Sequence, residues 1–82
     1  MHTFIHDPID VTVSFSQNKI LPKLIRWNER DYKIETVNLV HTTREGNKRI
    51  FYFSVSDLTN YFKLKLDSEY LEWYLVELYT DG

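Results

Sequence analysis

His2, His6 and His41 are the only imidazoles in a chain of 82 residues that contains no cysteine. Without cysteine there are no disulfides, thiolate metal ligands or thiol nucleophiles, which fits a reducing compartment. His2 and His6 stand four apart, a spacing that gathers two ligands on one face only in a helix, and Phe4, Ile5 and Pro8 do not support a helix there. His6 and Asp7 could orient one another as base and carboxylate, but no nucleophile stands in a recognisable motif beside them. None of the carboxylates forms a pair flanked by apolar residues, the setting that raises a pKa for acid or base work. Glu72 and Glu77 flank the last apolar run and are expected to point outward. Two glycines, Gly46 and Gly82, cannot build a phosphate-cradling loop. These residues predict a protein that is not an enzyme, with no catalytic group, metal or cofactor.

Binding has more to work with. Small barrels hold single-stranded nucleic acid by stacking bases on exposed aromatics beside a basic groove. Tyr61 shares a strand side with Lys63 and Lys65, and Tyr52 and Tyr74 lie opposite the expected inward faces, so these five are the candidate binding residues. The plainer reading is that tyrosines pack on strands and lysines guard edges. The same tyrosines would equally serve a protein interface.

Those side chains must be positioned by strands. The chain is organised around Trp27-Asn28-Glu29-Arg30-Asp31-Tyr32-Lys33-Ile34, where an aromatic closes one apolar run, polar turn-formers follow, and Tyr32 and Ile34 open the next run on alternate positions. Ile9, Val11, Val13 and Phe15 alternate with polar residues, the pattern of a half-buried strand. Residues 20 to 27 also read as a strand, although Pro22 implies an edge or a bulge and a helix is the alternative. Tyr32 and Ile34 take one parity and Val37 and Leu39 the other, which a bulge near Glu35-Thr36 would repair. Phe51, Phe53 and Val55 alternate with Ile50 and Tyr52, apolar on both faces, as in a central strand. Phe62, Leu64 and Leu66 alternate with Tyr61, Lys63 and Lys65; in the last strand Leu71, Trp73 and Leu75 share one face, with Val76 and Leu78 on the other.

Strands this short, joined by polar turns, predict an all-β fold: a single antiparallel meander of five or six strands, rolled into a closed or half-closed SH3-like barrel. Residues 1–8 are expected as an extension and residues 9–80 as the domain. The expected core is Val11, Val13, Ile25, Trp27, Tyr32, Ile34, Phe51, Phe53, Phe62, Leu64, Trp73 and Leu75, with both indoles inside. No apolar run approaches the roughly 20 residues of a membrane span, and the N-terminus lacks a signal-peptide pattern, so the expectation is a soluble, cytoplasmic monomer or weak homodimer with no membrane partner. Net charge is −2, yet residues 19 to 49 balance at +4 and residues 50 to 82 at −4. That asymmetry makes either two opposite faces or cross-strand pairs that cancel.

Three stretches carry a family likeness: Asp7 to Val11; Leu24 to Ile34 with Val37; and Glu72-Trp73-Tyr74-Leu75-Val76-Glu77-Leu78-Tyr79. Over residues 7 to 79 the chain resembles a family of short bacterial domains of unknown function with the patterns P-hydrophobic-x-V, F-x-W-x-G-R-x-Y-x-V and W-x-L-x-x-V-Y. Such domains stand alone or close the C-terminal end of Y-family polymerase-like proteins of DNA-damage tolerance. Glu29 stands where that family usually turns on Gly, and His41 near a common Trp-Arg pair. The resemblance implies no catalytic residue. It implies a protein-interaction or adaptor module with a link to DNA maintenance, and the alternative from the residues is a single-stranded nucleic-acid-binding small barrel.

Overall fold

In the computed structural model, which describes residues 1–80, every regular element is a strand. The order is β1 (His2–Ser16), β2 (Lys19–Trp27), β3 (Arg30–Lys33), β4 (Thr36–Glu45), β5 (Lys48–Ser56), β6 (Asn60–Asp67) and β7 (Glu72–Thr80). All seven lie in one antiparallel sheet ordered β3-β2-β1-β7-β6-β5-β4. No helix of the described residues is long and apolar enough to cross a membrane.

The all-β expectation holds, but the sheet is not a closed barrel. Antiparallel pairing at every neighbour makes β3 and β4 run in the same direction. They are two halves of one bent run, interrupted at Ile34-Glu35, so the expected six runs count as seven strands. The first half pairs with β2 and the second with β5. At the bend the Ile34 N–H donates to the Lys23 carbonyl (2.9 Å) and the Glu35 N–H to the Ser56 carbonyl (2.9 Å), so the two edges of the sheet meet at this corner and diverge beyond it.

Bulges bend the other strands. Between β1 and β2 the register jumps from Thr12↔Leu24 to Val13↔Pro22, leaving Lys23 as the extra residue, so Pro22 stands beside a bulge, and also on the part of β2 that β3, pairing only from Leu24, leaves as an open edge. A similar jump leaves Val76 extra between Leu75 and Glu77. That corrects the two-sided reading of β7: one inserted residue resets the alternation, so Leu78 returns to the core side opposite Phe62 and Glu77 goes out.

Two-residue hairpin loops are set by their conformations. Gln17-Asn18 and Asn28-Glu29 have both residues at positive φ, the arrangement whose twist matches the flanking strands. Glu29, at φ 61°, occupies a conformation that glycine adopts without steric penalty. At the Gly46-Asn47 loop only Gly46 is at positive φ (65°).

The core is Ile25, Ile34, Phe53, Val55, Phe62, Leu64, Leu66 and Leu75, with Trp27, Tyr32, Phe51 and Trp73 packed against it from half-buried positions. Both indoles are therefore core flanks rather than core centres; Trp27 keeps its Nε1–H at the margin, donating to Asp7 Oδ2 at 2.9 Å. Val11 and Val13 are half-buried and outside this cluster, and Phe15 is 76% exposed. The β1–β2 hairpin extends past the packed part of the sheet, so alternation continues where nothing covers it. The first eight residues are not a loose extension: His2, Thr3 and Phe4 pair with Tyr79, Leu78 and Glu77 of β7. Phe4 is 77% exposed, while Ile5 is half-buried against the core, so the backbone ladder and that one side chain hold this segment.

Candidate functional site

The sheet has a second face, opposite the core, built from the alternate residues. On β5 and β6 the facing pairs are Tyr52↔Lys65, Ser54↔Lys63 and Ser56↔Tyr61. β7 adds Lys65↔Tyr74, Lys63↔Glu77 and Tyr61↔Tyr79. On the flanks, β1 brings His2 opposite Tyr79, and β4 brings His41 opposite Tyr52 and Leu39 opposite Ser54. All five candidate binding residues thus share one face. Period-2 alternation put them there, and the bulge at Val76 added Glu77 and Tyr79, which an unbroken alternation misplaces.

A shallow depression of about 700 Å3 lies on this face, lined among others by His2, Leu39, Tyr52, Tyr61, Lys63 and Tyr79. Lys65 and Tyr74 lie outside it, farther along the strands. Its walls are aromatic. Tyr61 and Tyr79 meet edge to face with centroids 6.3 Å apart, and both are more than half exposed. His41 lies 6.3 Å from Tyr52, and His6 stacks on Tyr74 at 4.9 Å.

Its charges are already partnered. Lys63 Nζ lies 3.3 Å from Glu77 Oε2 and 5.1 Å above the Tyr52 ring, while Lys65 Nζ lies 3.8 Å from Glu45 Oε1. His2 Nε2 approaches Glu77 Oε1 to 2.7 Å, Tyr52 donates its hydroxyl to Glu45 at 3.4 Å, and Tyr74 donates to Glu72 at 3.1 Å. The Tyr74 hydroxyl is held above its ordinary pKa by that carboxylate. The hydrogen bond from His2, reinforced by Lys63 against partial burial, holds Glu77 below the usual carboxylate range. Lys48, Lys63 and Lys65 against Glu45, Asp67, Glu72 and Glu77 make the face slightly acidic, not basic. The excess cations of residues 19 to 49 lie elsewhere in the sheet.

Two further carboxylates are depressed at turns. Burial opposes the ionised form of Asp57, but its Oδ1 accepts from the Thr59 and Asn60 N–H groups at 2.8 and 2.7 Å, and those bonds win. Asp67, likewise opposed by burial, accepts from the Glu69 N–H and from Lys48, whose own pKa is raised chiefly by that bond. A carboxylate with a depressed folded pKa stabilises the fold above its unfolded pKa and loses that stabilisation as pH falls through the folded value. The urea midpoint is therefore expected to be flat from pH 7 to about 5 and to fall between about 4 and 2. Lys48 has the opposite sign, its contribution fading only above the ordinary lysine value of 10.5. Asp57→Asn should flatten the acid limb; an unchanged limb would show that the turn bonds do not carry it.

Among the described residues no three His, Asp or Glu side chains gather to hold a metal. Comparison with family models, with curated proteins and with solved structures gives no match to this chain.

Proposed function

We propose that the chain is a protein-interaction or adaptor module whose docking surface is the outer face of β4, β5, β6, β7 and β1. The observation that supports this is the combination of exposed Phe4, Leu39, Tyr61 and Tyr79 with lysines that are internally neutralised. A phosphate backbone gains affinity by meeting unpartnered cations, and here it would first have to displace Glu45 and Glu77. A protein partner offering an apolar, weakly charged surface asks for no such exchange. Exposed tyrosines supply large contact area at low conformational cost, the composition of interface hot spots. A link to DNA maintenance rests on the likeness of the three stretches Asp7 to Val11, Leu24 to Ile34 and Glu72 to Tyr79.

The test is comparative affinity purification from the native host. A partner held by the wild-type chain should be lost with Tyr61→Ala/Tyr79→Ala and kept with Lys33→Ala, which lies on β3. Two hot-spot tyrosines together should weaken the complex about a hundredfold or more. Equal recovery with all three proteins would overturn the reading. Fluorescent single-stranded oligonucleotides at low salt test the nucleic-acid alternative: salt-dependent binding abolished by Lys63→Ala/Lys65→Ala would replace the protein reading.

A further inference from the structure

The two edges of the sheet are guarded very differently. β3 is four residues long, and Arg30, Asp31 and Lys33 are charged, which blunts it against pairing. β4 is ten residues long, and Thr36 to Thr43 contains no Asp, Glu, Lys, Arg or Pro. After the bulge at Asn38 its register with β5 is regular from Leu39 to Glu45, so its opposite edge offers a straight run of backbone donors and acceptors. β2 is open on the facing side too, because β3 pairs only from Leu24 onward and the last link is the bond to the Lys23 carbonyl. Between them lies an opening of about 400 Å3 lined by Ile20, Leu21, Val40, Phe51 and Phe53, with Lys19 at its rim.

Charge says what fits there. Arg26, Lys48, Lys63 and Lys65 have carboxylate partners; Lys19, Lys23, Arg30, Lys33, Arg44 and Arg49 have none among the described residues. Of these six, Lys19 lines the opening, Arg44 and Arg49 continue its β4–β5 wall, and Lys23 stands at the corner where it ends, while Arg30 and Lys33 lie on β3 beyond that corner. Arg44 and Arg49 are directly opposed, on the side of the sheet that carries Val40↔Phe53 and Thr42↔Phe51. Like charges facing across a ladder are unfavourable unless an anion relieves them.

We propose that this opening receives an extended acidic peptide, which adds a strand along the free edge of β4, sets alternate apolar side chains over Val40, Phe51 and Ile20, and places a carboxylate at Arg44 and Arg49. The backbone supplies affinity, and the alternate side chains supply selection. The site is separate from the tyrosine face and does not depend on it.

The probe is a capped peptide of about eight residues, alternating valine and threonine and ending in two aspartates, titrated into isotope-labelled protein by NMR. Amides of residues 39–45 and 19–21 should shift. A peptide ending in two lysines should bind about tenfold more weakly, a backbone N-methylated peptide not at all, and Arg44→Glu/Arg49→Glu should reverse the charge preference. Tyr61→Ala/Tyr79→Ala should bind the acidic peptide as wild type does, which separates this site from the outer face. Should the arginine variant fail to fold, the three peptides on the wild-type chain still decide. No shift at millimolar peptide, equal binding of the N-methylated form, or shifts confined to the tyrosine face would overturn the proposal. So would a dimer whose β4 edge amides are already protected before peptide is added, since a second copy would then be the occupant.

Discussion

Replacing Phe53 by alanine is expected to unfold most of the population at room temperature. The ring is 1% exposed and sits at the middle of β5, with Phe51 and Trp73 ring centroids 6.3 and 5.3 Å away. Truncating a buried Phe costs about 3 to 5 kcal/mol in lost transfer energy and residual cavity. A single small core without disulfides or metal supplies roughly 3 to 5 kcal/mol in all, so the loss is comparable to the whole. Trp73, only half-buried against the same cluster, should tolerate truncation better. Urea titration of the two alanine variants by circular dichroism checks this. A cooperative Phe53→Ala transition with a midpoint above that of Trp73→Ala would mean that the core is centred elsewhere.

How much of this was legible in the sequence depends on how far each alternation runs without a break. β5 and β6 have no register shift between them, and there the inward set of Phe53, Phe62 and Leu64 was readable directly, as was the outward set of Tyr52, Tyr61, Lys63 and Lys65. Where a bulge intervenes, parity stops being informative. Val76 reversed the faces of everything after it, and the jump between Phe4 and Asp7 made the first residues of β1 read as an extension outside the domain. Two interruptions announced themselves: Pro22 by its missing N–H, and Ile34-Glu35 because the parity of Tyr32 and Ile34 clashes with that of Val37 and Leu39. The sequence pattern does not distinguish a bulge that bends one strand from a corner where the chain changes partner, so closed and half-closed barrels were both natural expectations. The structure has a corner.

The candidate site divides in the same way. Alternation is local, so sequence could gather tyrosines and lysines onto one face. Cross-strand register is not local: Glu45 and Glu77 meet Lys65 and Lys63 only because β4 folds back on β5 and β7 on β6. The composition of residues 19 to 49 allowed either a basic face or cross-strand pairs that cancel, and the pairing decides between them. Within the outer face the charges cancel strand against strand; along the opening between β2 and β4 they do not.

Truncating Ile34 is the second large effect to expect, and it should loosen one corner of the sheet before the rest. Ile34 is 8% exposed and belongs to the core, and its backbone N–H is the last link from the β3 edge to the Lys23 carbonyl. Ile34→Ala keeps that N–H but removes the side chain that holds the bend against the core, at a cost of about 2 to 4 kcal/mol. Because β3 pairs only with β2 and is four residues long, Tyr32, whose ring meets Phe62 edge-on at 5.4 Å, is its one other anchor to the core. Hydrogen exchange should therefore accelerate first at Tyr32, Lys33, Ile34 and Glu35, with β5 and β6 protected longest, the pattern of a sub-global opening rather than uniform destabilisation. Val11→Ala supplies the contrast: half-buried and outside the core cluster, it should cost about 1 kcal/mol and leave the corner closed. If Ile34→Ala instead raises exchange evenly across all seven strands, the corner is not a separate element, and the open edge of β4 is held by the whole sheet rather than by one side chain.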